Sequence, residues 1–176
     1  MDRISHLFLG VATTTVLVAA MAVPSSAATS SDTATTVVVT GGGLSITAPA
    51  TAALSDAAPS STATANIAGV QVTDTRAGTI GWSATVRSTD FTPSVGGAGS
   101  IPATAAAYIP SGMASVTGLA VVTPSSQSDL STPKTVQTAT MVVGNNAASW
   151  TAAFQVAIPS TAVAGTYSGT LTHSVL

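Results

Sequence analysis

IGWSATVR, at residues 80–87, alternates apolar and polar side chains over consecutive positions. Because a strand points successive side chains to opposite faces, this period of two predicts a β-strand with one packed face and one wetted face. The packed face carries Ile80, Trp82, Ala84 and Val86. An aromatic ring in this phase buries a large area, so Trp82 is expected in the core.

Two later segments have the same period. In residues 150–158 the apolar positions are Trp150, Phe154, Val156 and Ile158. In residues 166–175, hydroxyl side chains fill one face, and the other face holds Tyr167, Leu171, His173 and Val175. These patterns predict two further half-buried strands.

The rest of the chain continues as short runs rich in Val, Thr and Ile, separated by Gly, Pro, Ser and Asn, with no sustained helical period. This organisation is typical of a β-sandwich or barrel. We predict one all-β domain over residues 35–176, an Ig-like or Greek-key sandwich of eight or nine short strands. The candidate strands are residues 35–40, 44–48, 67–73, 80–88, 105–109, 116–123, 136–143, 150–158 and 166–175.

The strands at 67–73 and 80–88 are joined by DTRAGT, residues 74–79. Asp at the start of a turn accepts backbone N–H bonds, and Gly78 can supply a positive φ, so the unit is predicted to be a hairpin. Asp74 and Arg76 can pair within this turn. One alternative is a weak local contact; the other is that Arg76 folds over the end of the sandwich and orders the loop.

The N-terminal residues predict export. Arg3 precedes an apolar run at residues 7–23, Pro24 ends the run, and small residues follow up to Ala27. These are the parts of a secretory signal peptide, predicted at residues 1–27 and helical before cleavage, with a flexible lead-in at 28–34. The competing interpretation, a membrane anchor, needs about 20 apolar residues, and this run is shorter. We therefore expect a secreted, extracellular protein without stable membrane insertion.

Composition narrows the partners and the chemistry. Only 6% of residues are charged, the formal net charge is −2, and there is neither Cys nor Glu. Without a basic field, nucleic acid and anionic membranes are poor partners. Without Cys, thiolate metal sites and Cys nucleophiles are excluded.

Catalytic groups are sparse. After residue 27 the only His is His173, on an apolar strand face, where a core or rim role is the better interpretation than catalysis. The carboxylates are scattered, with no Asp-x-Asp spacing for calcium: Asp32, Asp56, Asp74, Asp90 and Asp129. We expect no enzymatic activity, no metal and no cofactor.

Several segments, taken in order, resemble the WxL domain of Gram-positive cell-surface proteins. They are VQVTDTR at 70–76, GWSATV at 81–86, DFT at 90–92, Trp150 with FQVAIP at 154–159, and AGTYSGTLTHSVL at 164–176. The resemblance covers most of the chain after residue 27. The two Trp-any-Leu motifs of the family are here Trp82-Ser83-Ala84 and His173-Ser174-Val175.

The resemblance implies non-covalent association with cell-wall peptidoglycan, or contact with other surface proteins. Because the chain ends on its last predicted strand without a sorting signal, we expect any wall attachment to be non-covalent. Trp82, Trp150, Tyr167 and above all Tyr108 are candidates for contact with glycan. The residues matching the family, for wall association or core packing, are Asp74, Arg76, Gly81, Trp82, Ala84, Trp150, Tyr167, Leu171, His173 and Val175.

A second hypothesis is a structural subunit of a surface layer or fibre. Charge-poor, Thr-rich edge strands can accept a strand from a partner. In that case residues 35–40 would be the donated segment.

Overall fold

The computed structural model describes residues 33–94, 96 and 99–176. The chain divides into two compact units, residues 1–37 and residues 38–176. In the first unit only residues 33–37 are described, and they form neither helix nor strand. The predicted signal peptide at 1–27, and the lead-in up to residue 32, lie outside the described residues.

The second unit is all-β, which confirms the predicted class. Its described residues form no α-helix, one 3-10 turn at Ala103–Ala105, and ten strands. The strands are β1 (Leu44–Thr47), β2 (Thr62–Asp74), β3 (Trp82–Ser88), β4 (Thr92–Pro93), β5 (Ala106–Pro110), β6 (Ser115–Pro124), β7 (Gln127–Ser128), β8 (Lys134–Ala157), β9 (Tyr167–Ser168) and β10 (Leu171–Val175).

Strand β8 organises the unit because it pairs along both of its sides, always antiparallel. On one side, β3 pairs with its first part and β2 with its second part. On the other side, β6 pairs across its middle and β5 near its end. The first half of the sheet is therefore β10-β3-β8-β6, and the second half is β1-β2-β8-β5-β7. The start of β6, residues 115–118, also pairs with β8 in the second half. The separate β4–β9 pair completes the structure.

A bend in β8 separates these two halves. Met141 and Gly144 take positive φ values of 53° and 69° within the strand, and β6 shifts register at Gly118 and Leu119, opposite the bend. Bulges of this kind bend a strand without ending it. The two halves consequently fold over a shared core, in contrast to an Ig-like sandwich, where the two sheets are separate ladders.

The core is continuous between the halves. Val70, Val72 and Trp150 come from the second half, and Trp82 and Val86 from the first, and all belong to one buried cluster. The period of two predicted from the sequence is the observed one: β3 alternates buried and half-exposed positions from Trp82 onward.

The predicted hairpin over residues 67–88 is wrong. Strands β2 and β3 do not pair with each other; both run antiparallel to β8, one after the other along the same side. The loop at 75–81 spans the bend instead of reversing the chain, and Gly78 accepts a hydrogen bond from Gly144 N at 2.9 Å. The positive φ of this loop, 54°, falls on Ala77.

Three strand predictions also need correction. Residues 35–40 are not a strand, since no other strand pairs with them in the described part of the chain. The segments 136–143 and 150–158 belong to one strand, because β6 continues to pair across the Gly-Asn-Asn segment between them. Residues 166–175 divide into β9 and β10 at Gly169, which lies against the ring of Phe91.

Candidate functional site

The loop at residues 75–81 brings the first group of family-like residues together. Arg76 makes a two-pronged ion pair with Asp74, with Nε donating to Oδ1 and Nη2 donating to Oδ2, both at 2.9 Å. Nη2 also donates to the carbonyl oxygens of Ile80 at 3.1 Å and Gly81 at 3.3 Å. Arg76 thus orders the loop, as the second of the two interpretations of this pair expected, but it does so at the bend in β8 and not at an end of the sandwich.

Asn146 extends this cluster into the core. Its Oδ1 accepts a hydrogen bond from Trp82 Nε1 at 3.0 Å, and its Nδ2 donates to Asp74 Oδ2 at 3.2 Å. Trp82, Asp74 and Asn146 are all buried. We name the network of Asp74, Arg76, Trp82 and Asn146 the corner network, because it joins β2, β3 and β8 at the bend.

The corner network keeps Asp74 ionised although it is buried. The hydrogen bonds from the Arg76 side chain lower the pKa of Asp74 from its ordinary value, against the opposing effect of desolvation. The bonds from Arg76 N and Asn146 act in the same direction. A buried carboxylate that accepts this many donors is stabilised in its charged form.

Glycine is required where backbones meet at the bend. A Cβ on Gly81 would overlap the carbonyl oxygen of Ala139 on β8, and a Cβ on Gly118 would overlap the carbonyl oxygen of Asn145. Gly118 also has a φ of 84°, which favours glycine. The Gly81-Trp82 pair of the family-like motif therefore has a steric reason here.

A second cluster joins the two halves of the sheet through the core. Trp150 Nε1 donates to the hydroxyl of Tyr108 at 3.0 Å. The same hydroxyl lies 3.3 Å from His173 Nε2, and the Tyr108 and His173 rings meet edge to face at 5.5 Å. We name Trp150, Tyr108 and His173 the cross-sheet triad, since β8 and β5 contribute from one half and β10 from the other.

Burial fixes the protonation states of the triad. It raises the pKa of Tyr108 to about 12 and lowers the pKa of His173 to about 4. The Tyr108 oxygen accepts a hydrogen bond from Trp150 Nε1. Donation of the Tyr108 hydroxyl proton to His173 Nε2 then satisfies both hydrogen-bonding roles of the hydroxyl group. His173 is then neutral, with its proton on Nδ1.

Tyr108 was predicted as a glycan contact, and the structure contradicts this. Its exposed fraction is 0%, and those of Trp82 and Trp150 are 2% and 5%. A fully packed ring offers no face on which a sugar can stack. The large aromatic side chains therefore belong to the core, and Tyr167 alone among the four candidates is half-exposed.

The remaining family-like positions also pack. Ala84 is buried on β3, opposite Val175 of β10. Leu171, Val175 and Tyr167 are partly buried and pack against the core cluster. These motif residues consequently act in packing and in the two polar networks.

A shallow groove of about 450 Å³ lies elsewhere, where DFT at 90–92 meets the closing segment. Its lining consists of Thr89, Asp90, Thr92, Ser168, Gly169 and Thr170. The two segments face each other because β4 and β9 pair, with Thr92 opposite Ser168.

Hydrogen bonds hold the groove in shape. Thr170 N donates to Thr89 Oγ1 at 2.9 Å, and Asp90 Oδ1 accepts from Ala103 N at 2.8 Å. Gly169 allows the floor to lie on Phe91, since a Cβ there would come within 2.8 Å of the ring. The result is a recess with four hydroxyl side chains and one carboxylate, a set suited to hydrogen-bonding an uncharged polyhydroxylated ligand.

Sequence reasoning missed Asn146 and the groove. Asn146 lies 64 residues after Trp82, within a Gly-Asn-Asn run that signals only a turn. The groove combines four Ser and Thr residues that carry no individual signal in a Thr-rich chain.

Within the described ranges, no three His, Asp or Glu residues lie close enough together to hold a metal ion. The same ranges contain no helix that is long and apolar enough to cross a membrane. Comparisons with protein-family models, with curated proteins and with solved structures found no match.

Proposed function

We propose that this chain is an exported, non-catalytic cell-surface protein of WxL-like type that associates non-covalently with cell-wall peptidoglycan. The observation that supports the proposal is the hydroxyl-lined groove between the segments at 89–92 and 168–170. Two family-like stretches meet there, and its side chains match the hydroxyl and amide groups of wall glycan.

Recognition in this proposal depends on hydrogen bonds. The buried aromatic rings of the two networks are unavailable for stacking, and the groove contains a single ionisable side chain, Asp90. Salt screens charge–charge attraction but leaves neutral hydrogen bonds largely intact. Retention on wall material is therefore expected to survive high salt.

The test is co-sedimentation with purified peptidoglycan. The Thr92→Ala/Ser168→Ala variant removes two groove hydroxyls, each worth roughly 0.5–1.5 kcal/mol, so binding is expected to weaken about tenfold. Thr64→Ala on β2 is the matched control, because Thr64 is also exposed and lies outside the groove lining.

Two results would count against the proposal. If wild-type protein sediments with peptidoglycan no more than an unrelated secreted protein does, the proposal of wall binding is contradicted. If the Thr64→Ala control loses as much peptidoglycan binding as the groove variant, the groove is not the binding site.

Export has its own test. Mass spectrometry of the protein released by producing cells is expected to give an N-terminus at Ala28. A released chain that retains residues 1–27 would contradict cleavage there.

A further inference from the structure

Strand β6 has a free edge. It pairs only with β8, and within the described ranges no backbone hydrogen bond joins residues 115–124 to any other strand. With ten residues it is five times as long as the two-residue strands and at least twice as long as β1 or β10. A free edge presents unpaired N–H and C=O groups that can template a further strand.

Pro124 ends this edge and register shifts interrupt it between Gly118 and Val121, but its other side chains do little to protect it. Residues 115–124 contain no charged side chain, and Leu119 and Val121 are 64% and 46% exposed. Their neighbours across the ladder are also exposed and apolar: Val143 pairs with Leu119, and Met141 lies next to Thr140, the partner of Val121. Natural edges are usually guarded by charge, particularly Lys.

Another long edge in the same unit is covered. The first part of β2 extends beyond β1, but Ser55 N donates to Thr64 O, and Ser55 Oγ accepts from Thr64 N. The loop before β2 therefore protects that edge. The edge of β6 has no such cover in the described part of the chain.

A donor segment exists in the same sequence. Residues 35–40, Thr-Thr-Val-Val-Val-Thr, are all β-branched and uncharged, a composition that fits a strand. They form no strand, and Val37, Val38 and Val39 are 78–88% exposed. The chain is fixed just after this arm, because Gly42 N donates to Thr75 O at 2.6 Å and Gly43 N donates to Thr75 Oγ1 at 2.9 Å.

We propose that residues 35–40 of a second copy of this chain add as a strand to the free edge of β6 along residues 119–124. The added strand pairs its backbone with β6, and its valines contact the exposed apolar side chains of Leu119 and Val121. This inference stands independently of wall binding.

The length of the arm favours a second copy. The arm leaves the body at the β1 position, and a strand beside β6 would lie four strand positions away, roughly 19 Å at about 4.8 Å per strand. Six extended residues span about 20 Å. Within one chain, crossing the sheet would consume the whole arm and leave nothing to pair along β6.

Donor and acceptor are different surfaces, so the contact is head-to-tail. Each copy that donates its arm keeps its own β6 edge free for the next copy. Such contacts produce rings or open fibres, depending on whether the rotation closes. Such an assembly would correspond to the surface layer or fibre of the second hypothesis drawn from the sequence.

The experiment uses protein released by cells that produce the full chain, measured by light scattering after gel filtration over a range of concentrations. Wild-type mass is expected to rise with concentration to at least twice that of the monomer. Val38→Asp in the arm and Leu119→Lys on the edge are each expected to remain monomeric. Thr33→Asp and Ser174→Lys, which place the same charges before the arm and on the edge of β10, are expected to assemble like wild type.

A mixture of the two disabled variants sharpens the test. Leu119→Lys keeps a working arm and Val38→Asp keeps a working edge, so together they are expected to form a dimer that cannot grow. Wild type that stays monomeric at every concentration would overturn the proposal. So would assembly that survives Leu119→Lys, or a mixture that stays monomeric. Peptidoglycan binding is scored separately, so either proposal can fail without the other.

Discussion

Asn146 connects the buried polar groups of Trp82 and Asp74 next to the bend. It accepts from Trp82 and donates to Asp74, so one amide satisfies two buried groups. In Asn146→Ala the Trp82 N–H loses its partner, at roughly 1–3 kcal/mol, and Asp74 loses one of its donors, at roughly 0.5–1.5 kcal/mol, so the free energy of unfolding is expected to fall by about 2–4 kcal/mol. Urea denaturation measures this loss.

The neighbouring residue is the control. Asn145 is exposed, and its Oδ1 accepts one bond, from Ala77 N at 3.1 Å. Asn145→Ala is expected to lower the free energy of unfolding by about 1 kcal/mol or less. Equal losses for the two variants would show that the corner network adds nothing beyond an ordinary surface bond.

His173 makes stability depend on pH. Its pKa is about 4 in the folded chain and 6.5 ordinarily, because burial disfavours the charged ring. Between these values the unfolded chain binds more protons than the folded chain. The stabilisation is therefore complete above about pH 6.5 and is lost as pH falls toward 4, by up to about 3 kcal/mol.

The measurement is the free energy of unfolding of wild type and His173→Gln from pH 7 to pH 4. The variant keeps a neutral hydrogen-bonding side chain but cannot titrate, so the part of the slope due to His173 is expected to disappear. Identical slopes in the two proteins would contradict a buried, neutral His173.

At the level of elements, the bend requires close contact between β3 and β8. The Gly81→Ala methyl group would overlap the Ala139 carbonyl oxygen, and separating the strands is expected to lower the free energy of unfolding by about 1–3 kcal/mol. Gly43→Ala is the matched control, since no atom lies within 4 Å of its Cβ position. Urea denaturation of the pair is the test, and equal stabilities would show that the bend tolerates a wider spacing.

The elements also show how far sequence reasoning reaches. The alternation of apolar and polar residues predicted β3, β10 and the second part of β8, because the period of a half-buried strand is visible in its own sequence. Strand pairing is not visible in the local sequence. The DTRAGT turn is compatible with a hairpin, but because β8 bends at Met141 and Gly144, the loop instead connects two strands that both pair with β8. Residues 35–40 have strand propensity but no partner strand in the described chain, so propensity alone gave the wrong state.

The candidate sites were predictable to different degrees. Asp74 and Arg76 are two residues apart, so their ion pair followed from local turn chemistry. The partner of Trp82 is 64 residues away, and the partner of Trp150 in the cross-sheet triad is 42 residues away. Side chains brought together by the fold over such separations leave no spacing signal in a single sequence.

For the whole molecule, β8 predicts a single folding unit. It is the central strand of both halves. Unfolding of β8 in one half would therefore remove the central strand of the other half as well. The two Trp residues report on the two halves separately, Trp82 on β3 in the first and Trp150 on β8 in the second. Unfolding is therefore expected to be two-state, with both Trp residues changing together.

Single-Trp variants test this directly. Trp150→Phe leaves the fluorescence of Trp82, and Trp82→Phe leaves that of Trp150. In each variant the urea midpoint from fluorescence is expected to coincide with the midpoint from far-ultraviolet circular dichroism, although both midpoints shift because a hydrogen bond is lost. If the Trp150 signal changed at a different urea concentration from the circular dichroism, the second half would unfold separately, and the bend in β8 would be a boundary between two folding units.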